Sequence, residues 1–224
     1  MKNDSTVDGT LRAVLEAKKQ RFLDTAEEHK KKAYHEGVVT VSKSGIVESA
    51  KNVGDIAPNF TLQNATNQAV QLEDYLKKGK VVLTWYRGGW CPYCNFTLQH
   101  LQKELPNFNA NGASLIALTP ELPDYSLSTA EKNALEFEVL SDIDNKVARE
   151  YGLVFYLGDE VARLYNASFD LIGYNGNEDN ELPLAATYII DQSGKIEYAF
   201  VEADYRVRAE PSELTAFLAE AANN

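Results

Sequence analysis

The sequence is poor in cysteine, histidine and positive charge. Its 224 residues include two cysteines and three histidines, and 22 Lys and Arg face 33 Asp and Glu, which gives a net charge of −11. Two cysteines cannot build a framework of several disulfides, and an acidic chain has no electrostatic reason to bind nucleic acid or an anionic membrane. The histidines His29, His35 and His100 show no ligand spacing, so we predict no metal and no other cofactor.

Long apolar runs are lacking as well. No stretch approaches the length of a membrane span, and the first residues, MKNDSTVDGT, lack the basic and apolar regions of a signal peptide. We therefore expect a cytoplasmic protein. The remaining composition, 44% hydrophobic and 25% charged residues, is typical of a globular domain with a core. The length indicates one domain with an appendage.

The appendage is predicted at residues 1–53. Apolar residues at spacings of three and four predict one long helix over residues 10–36, with Gly37 as its C-terminal stop. Its apolar stripe is thin, which leaves two interpretations: a helix that lies on the domain, or an arm that forms a homodimer. Residues 38–53 are predicted to be a connector with a short β-prone run at 38–41.

The compact domain is predicted over residues 54–224. Residues 60–62 and 70–72 form a hairpin pattern, and the apolar run 81–85 predicts a strand buried on both faces. Further strands are predicted at 114–118, 137–140, 187–190 and 196–201, and further helices at 128–134, 145–151, 160–165 and 211–221, besides one that starts at Pro92 and kinks or ends at Pro106. This alternation predicts an α/β fold with a central mixed sheet flanked by helices. Residues 153–182 are otherwise predicted to be irregular, either a lid over the site or part of a dimer contact.

Both cysteines lie in the segment WYRGGWCPYC, where the predicted buried strand turns into a helix. A thiol at a helix N-terminus faces free N–H groups and the positive end of the helix dipole, which lower its pKa. We therefore expect Cys91, at an exposed helix start, to be the reactive thiolate. Cys94 lies one turn later, faces inward and is close enough to form a disulfide. Redox chemistry is favoured over a metal site or inert packing.

Five neighbours of Cys91 are candidates for the same site. Arg87 would either add positive charge beside the thiol or turn away to form a salt bridge. Gly88 and Gly89 would keep main-chain N–H groups approachable and leave space for a small substrate. Tyr86 and Trp90 would wall the substrate pocket, with a hydrogen bond from Tyr86, and core packing is the alternative for both aromatic residues.

At these residues the sequence resembles the peroxiredoxin family, the alkyl hydroperoxide reductase and thiol-specific antioxidant branch of the thioredoxin-like fold. The resemblance covers residues 54 to about 218 and rests on GDIAPNFTL, VVLTWYRGGWCPYC, LIALTPE, VLSDIDNKVAREYGL and ATYIIDQSGKI. It matches most fully a subgroup with the YRGGWCPYCN signature. The resemblance implies that Cys91 attacks hydrogen peroxide or an organic hydroperoxide and becomes a sulfenic acid. Cys94 would then form an intramolecular disulfide with it, which a thioredoxin-like donor reduces.

Three positions depart from the family pattern. The family has a proline seven residues before the peroxidatic cysteine, where this chain has Thr84. It has Thr or Ser three residues before that cysteine, where this chain has Gly88. It has an arginine just before the strand that ends in IID, where this chain has Ala185. The missing hydroxyl and guanidinium groups stabilise the charge that develops on the leaving oxygen. Arg87 is the predicted substitute.

Two alternatives to a peroxidase remain at this point. The CPYC pair is similar to the active site of glutaredoxins, which suggests a thioredoxin- or glutaredoxin-like dithiol-disulfide oxidoreductase. Such reductases have a proline immediately before the strand at 187–190, where this chain has Ala185 and Ala186. The other alternative is a redox sensor without turnover. Four charged residues elsewhere are interpreted as structural, namely Glu121 and Asp142 in capping and turns, and Arg206 and Arg208 in ion pairs. The alternative for Arg208 is an approach to the thiol site.

Overall fold

The computed structural model describes residues 9–64 and 66–221. Its longer helices are α1 (Leu11–Thr25), α2 (Glu28–Lys43), α5 (Pro92–Ala110), α6 (Pro123–Lys132), α8 (Asp159–Phe169) and α10 (Pro211–Ala221), and its short helices are α3 (Ile46–Ser49), α4 (Leu72–Leu76), α7 (Lys146–Glu150) and α9 (Leu171–Asn175). Its strands are β1 (Thr61–Asn64), β2 (Ala69–Gln71), β3 (Lys80–Trp85), β4 (Ala113–Thr119), β5 (Glu138–Ser141), β6 (Val154–Tyr156), β7 (Glu181–Pro183), β8 (Thr187–Ile190) and β9 (Ile196–Phe200). None of the helices in the described ranges has the length and apolar character that a membrane span needs.

Strand β3 lies inside a seven-stranded sheet of order β2-β1-β5-β4-β3-β8-β9. It runs parallel to β4 and antiparallel to β8, so the sheet is mixed. Alternate residues of β3 enter different hydrophobic clusters: Leu83 and Trp85 pack with Tyr188, whereas Val82 packs with Leu101 of α5. The apolar run thus forms a strand buried on both faces. The predicted α/β fold, a central mixed sheet flanked by helices, is confirmed.

Most predicted elements of the domain occur where they were expected. The hairpin of β1 and β2, the strands β3, β4 and β5, the hairpin of β8 and β9, and the closing helix α10 all form. Helix α5 begins at Pro92, in the first helical turn that proline tolerates. It does not end at Pro106 but continues to Ala110. Pro106 is exposed, so water can satisfy the carbonyl group that loses its helical partner there.

The prediction of one helix over residues 10–36 is wrong. α1 ends at Thr25, because Ala26 and Glu27 are extended, and α2 then continues through Gly37 to Lys43. The predicted stop at Gly37 and the β-prone run at 38–41 are therefore wrong as well. A Cβ atom at Gly37 would lie 3.2 Å from Val161 Cγ2, so glycine allows α2 to pack closely against α8.

Both N-terminal helices pack on the rest of the chain. Leu11 and Leu15 of α1 are buried in the cluster that contains both cysteines, and Val41 and Ala50 belong to the main core cluster. Of the two interpretations of this segment, the structure has the helices lying on the domain. The boundary near residue 53 stays a prediction, and so does a homodimer contact.

Residues 153–182 are more ordered than predicted. β6 and β7 pair antiparallel as a separate two-stranded sheet, and α8 and α9 lie between them in the chain. The predicted short helix at 160–165 is the middle of α8. Val161, Tyr165 and Leu171 of these helices form a hydrophobic cluster with Leu182 of β7. The cluster explains why the segment is not a loop.

Candidate active site

The two thiols lie at the junction of β3 and α5, as the sequence predicts. Cys91 is the N-cap of α5, and its main-chain N–H donates to the Gly88 carbonyl at 3.0 Å. Both cysteines are free thiols. Cys94 faces inward and is 0% exposed, as predicted, but Cys91 is 2% exposed, so the expectation of an exposed helix start is wrong. The thiols are enclosed because Leu11 and Leu15 belong to the same cluster.

The two buried thiols interact with each other, so a charge on either one opposes ionisation of the other. Burial opposes ionisation of Cys94, but its hydrogen bond with Cys91 and the charges of Arg208 and Arg87 outweigh burial and lower its pKa to about 5. Burial and then the Cys94 thiolate raise the pKa of Cys91 well above its usual value. Cys91 as the nucleophile therefore stays a prediction, because burial and the neighbouring Cys94 oppose its ionisation in the resting pair. The physical reason is that two adjacent thiols cannot both ionise in a buried site.

Arg208 contributes to this site from a distance of 114 residues along the chain. Its Nη2 group donates to Cys94 Sγ at 3.7 Å, and its Nη1 group donates to the Tyr205 and Val207 carbonyls. Arg208 is 7% exposed. Of the two interpretations of Arg208, the structure has the approach to the thiol site and not the surface ion pair, because the segment after β9 returns to the start of α5. Arg206, by contrast, does pair with Asp204, at 2.7 Å.

Arg87 is the second buried guanidinium beside the thiols. Its side chain is 1% exposed and forms no salt bridge with a carboxylate among the described residues. The alternative in which Arg87 turns away from the thiol to form a salt bridge is therefore not what the structure has. Its Nη2 group donates to the Tyr165 hydroxyl at 2.7 Å. The guanidinium carbon lies 4.1 Å from the centre of the Tyr205 ring and 5.2 Å from that of Trp90. These aromatic faces stabilise a cation that has lost its water.

The nearby glycines make room for protein groups. Gly88 has a φ of +150°, and a Cβ atom there would lie 2.1 Å from Trp90 Nε1. A Cβ atom on Gly89 would lie 1.9 Å from Thr129 Oγ1 of α6. The Gly89 N–H group already donates to Glu121 Oε1 at 2.8 Å. The structure therefore gives both glycines a packing reason, and their contact with substrate stays a prediction.

Glu121 is a buried carboxyl group under this loop. Besides the bond from Gly89, its Oε2 atom accepts a hydrogen bond from the Thr119 hydroxyl at 3.2 Å. Burial outweighs these bonds and raises the pKa of Glu121 to about 7, with a further increase from the nearby Cys94 charge. Glu121 thus belongs to the thiol site, and the reading of it as a capping residue is incomplete. Asp142, by contrast, accepts from the Val147 and Ala148 N–H groups, as a capping residue does.

The two predicted aromatic walls have different surroundings. Tyr86 is buried in the cysteine cluster, and its hydroxyl interacts with Thr119 and Glu121. Burial, and then the Glu121 charge, raise the pKa of that hydroxyl well above its usual value. Trp90 stacks on Phe169 with ring centres 4.3 Å apart. This stacking joins α8 to the segment just before Cys91. Sequence analysis did not identify the contact.

The positions that depart from the peroxiredoxin pattern do not supply the missing groups. The Thr84 hydroxyl lies 2.9 Å from that of Thr187, in the pairing of β3 with β8, and Ala185 is buried. Two other guanidinium groups lie near the thiols instead, that of Arg87 from the segment just before Cys91 and that of Arg208 from the segment after β9. A sequence signal for Arg208 existed only as the charged segment DYRVRAEP after the last strand.

Comparison with known proteins agrees with this geometry. Residues 53–199 match the model of the AhpC/TSA family. Peroxiredoxin Bcp of Escherichia coli is 25% identical to this chain over 150 residues, which are 66% of this chain and 83% of that protein. The chloroplastic peroxiredoxin Q of Triticum aestivum is 28% identical over 160 residues, which are 71% of this chain and 63% of that protein. The crystal structure of peroxidoxin BcpB from Mycobacterium tuberculosis superposes with a TM-score of 0.60 at 20% identity, over 75% of this chain and 97% of that one. The chain belongs to the AhpC/TSA family.

Proposed function

We propose that this protein is a thiol peroxidase that reduces hydroperoxides through Cys91 and Cys94. The observation that carries this proposal is the enclosed pair of free thiols, with Arg208 Nη2 at 3.7 Å from Cys94 Sγ and the buried Arg87 guanidinium in the segment just before Cys91. A peroxidatic site needs a thiolate as nucleophile and fixed positive charge near the leaving oxygen. The family match and the peroxiredoxin relatives support the same chemistry.

Cys91 is the proposed nucleophile, and Cys94 is the proposed resolving thiol. The hydrogen bond between the sulfurs lets the Cys94 thiolate take the Cys91 proton as peroxide arrives. The Cys91 thiolate attacks the terminal peroxide oxygen, the O–O bond breaks, and the other oxygen leaves as water or alcohol with the proton that Cys94 had accepted, which restores the Cys94 thiolate. The product is a sulfenic acid on Cys91, and the peroxide has gained two electrons. The N–H groups of Arg87 would stabilise the leaving oxygen.

The second half of the cycle restores the thiols. The Cys94 thiolate attacks the Cys91 sulfur, hydroxide leaves and takes a proton to become water, and an intramolecular disulfide forms. A dithiol donor of the thioredoxin type then reduces this disulfide and is itself oxidised. The acidic composition and the paucity of cysteine support a cytoplasmic location, where such donors keep thiols reduced.

We also propose that the YRGGWCPYC segment is the signature of a subgroup of the family. The proposed assembly is a homodimer.

A thiol-disulfide oxidoreductase is the second candidate function. The observation in its favour is a likeness to the thiol-disulfide oxidoreductase ResA of Bacillus cereus, 23% identical over 150 residues, which are 66% of this chain and 69% of that protein. The family match over residues 53–199 favours the peroxidase, and Ala185 and Ala186 stand where thioredoxin-like reductases have a proline. A redox sensor without turnover would share the first oxidation step only.

One pair of assays separates these functions. The reduced protein is supplied with a dithiol donor, and consumption of hydrogen peroxide is measured beside reduction of insulin disulfides. A peroxidase consumes peroxide in many turnovers and reduces insulin no faster than the donor alone. Rapid insulin reduction without peroxide turnover would instead establish the oxidoreductase, and a single stoichiometric oxidation would establish the sensor. The variant with both Cys91→Ser and Cys94→Ser is the control for background reaction.

A further inference from the structure

Helix α1 lies over the thiol site and is docked there by a small apolar contact. Of its 15 residues only Leu11 and Leu15 are buried, and both belong to the cluster that contains Cys91 and Cys94. The helix packs against α5, which begins beside the thiols. Because two apolar side chains bury little surface, release of α1 costs far less free energy than unfolding of the whole domain.

Further along its length, α1 follows the segment between β9 and α10. Lys19 of α1 interacts electrostatically with Asp204 of that segment, and Glu16 interacts with Tyr93 in the first turn of α5. Tyr93 in turn packs edge-to-face on Tyr205, with ring centres 5.6 Å apart. The helix therefore covers both the start of α5 and the segment after β9, the two parts of the chain that meet at the sulfurs.

The N-terminal end of α1 is held by a buried carboxylate. Glu210, which is 7% exposed, accepts hydrogen bonds from the Leu11 and Arg12 N–H groups at 3.0 and 2.9 Å. The first N–H groups of a helix have no partner within the helix, and a carboxylate there also faces the positive end of the helix dipole. Arg12 pairs with Glu213 as well, but both side chains are exposed and such a pair contributes little. Glu210 therefore fixes this end of α1.

The other end of α1 has a break in the helix. Ala26 has a φ of −77° and a ψ of 154°, and Glu27 has a φ of −64° and a ψ of 141°, so two extended residues join α1 to α2. A few residues at the end of an element are the usual place where a hinge absorbs a change in φ and ψ. Helix α1 thus has a hinge at one end and a contact that can be broken at the other.

The proposed reaction cycle needs the thiol site to be both closed and open. Cys91 and Cys94 are 2% and 0% exposed. Hydrogen peroxide is a molecule of two oxygen atoms, but thiol-disulfide exchange requires a sulfur of the donor to touch a sulfur of the disulfide. A dithiol protein cannot bring its sulfur to a disulfide that lies beneath α1. Recycling therefore requires that the cover over the sulfurs move.

We propose that α1 is a lid, which turns away about Ala26 and Glu27 when the Glu210 contact breaks, and that the dithiol donor docks on the surface it uncovers. The proposal rests on the peroxidase function proposed above. A donor thiolate attacks one sulfur of the disulfide, and the other sulfur leaves as a thiolate. The second donor thiol then attacks the first donor sulfur and releases the remaining protein sulfur, so the donor loses two electrons and two protons. The lid precedes residues 53–199, so it lies outside the matched family region.

The first measurement is the access of a bulky reagent to the reduced thiols. The protein is mixed with a maleimide attached to polyethylene glycol, and alkylation is followed by the shift in gel mobility. Glu210→Ala removes the acceptors that hold α1, and Leu15→Ala removes one of its two buried apolar side chains. Glu213→Gln removes only the exposed pair with Arg12 and is the matched control. Circular dichroism identifies the variants that fold, and either lid variant suffices.

Alkylation should be about tenfold or more faster in a folded lid variant, because loss of these contacts raises the open fraction, whereas Glu213→Gln keeps the wild-type rate. Low concentrations of urea should change the wild-type rate little, since release of one helix exposes little surface. A wild-type rate in a folded lid variant would overturn the lid. So would a urea dependence as steep as that of global unfolding.

The second measurement joins the lid to the donor. The protein is oxidised with diamide and then reduced by thioredoxin in the presence of thioredoxin reductase and NADPH, and we expect the lid variants to be reduced faster than the wild type. Faster alkylation without faster reduction would overturn the role of the lid in recycling. Oxidation by hydrogen peroxide is measured beside it. No such oxidation of the wild type would overturn the peroxidase proposal, while the alkylation rates still decide whether α1 is a lid.

Discussion

Arg208→Met is the substitution that tests the charge balance of the thiol pair. It removes a charge and the donor that lies 3.7 Å from Cys94 Sγ, and it retains most of the side-chain stem that is buried there. Loss of a hydrogen bond to a charged group costs about 1.5–3 kcal/mol, and one pKa unit corresponds to about 1.4 kcal/mol. Because this contact to sulfur is long, we take the lower end of that range. The lower pKa of the pair should rise by about one unit.

The assay is a pH titration of the reduced protein without oxygen, followed by the ultraviolet absorbance of the thiolate. In the wild-type protein, we expect a first thiolate with a midpoint near the pKa of about 5 held by Cys94, and no second thiolate until well above the usual cysteine range. Arg206→Met is the matched control, because Arg206 lies in the same segment but pairs with Asp204. Equal midpoints in wild type, Arg208→Met and Arg206→Met would refute the role given to Arg208.

Three further predictions concern the site and its support. Arg87→Ala should slow the oxidation of the reduced protein by peroxide on the order of 10²–10³-fold, and Arg87→Lys should recover part of the rate. Arg87→Ala should also lower the melting temperature, because Arg87 is buried. An unchanged oxidation rate would remove Arg87 from the mechanism. Glu121→Gln should raise the free energy of unfolding at pH 8 by up to about 3 kcal/mol. The pKa of Glu121 is raised to about 7 in the folded protein, so its ionisation destabilises the fold increasingly as the pH rises from about 4.5 to 7. Thermal melts in which the variant is still the more stable protein below that pH window would contradict the assignment. A fragment of residues 54–224 should still melt cooperatively, at a lower temperature because it lacks Leu11 and Leu15, and a non-cooperative melt would show that the boundary near residue 53 is wrong.

Local patterns were sufficient to predict most of the sheet and the place of the thiols. The apolar run that ends at Trp85 has to be buried on both faces, and a proline at the first turn of a helix marks where α5 begins. Both features depend on residues that are neighbours in the chain. The strand-to-helix junction that holds Cys91 follows from them directly.

The errors arose where distant residues decide the outcome. Arg208 reaches Cys94 because the segment after β9 returns to α5, and no spacing in the sequence encodes that return. Gly37 was predicted as a helix stop because glycine is common at helix C-termini. In the structure it lies inside α2, where it allows the close approach of Val161 from α8. The lowered pKa of Cys94 likewise depends on two guanidinium groups that only the folded chain brings together.

The most direct test of the account is which sulfur receives oxygen from peroxide. Reduced Cys94→Ser and Cys91→Ser proteins are mixed with hydrogen peroxide, quenched at short times and examined by mass spectrometry of the peptides after trapping of sulfenic acid. We expect one oxygen to add to Cys91 in the Cys94→Ser protein, more slowly than in the wild-type protein because the Cys94 base is lost, but well above the background oxidation of the Cys91→Ser protein. Rapid oxidation of Cys94 in the Cys91→Ser protein, with Cys91 unreactive in the other variant, would contradict the account.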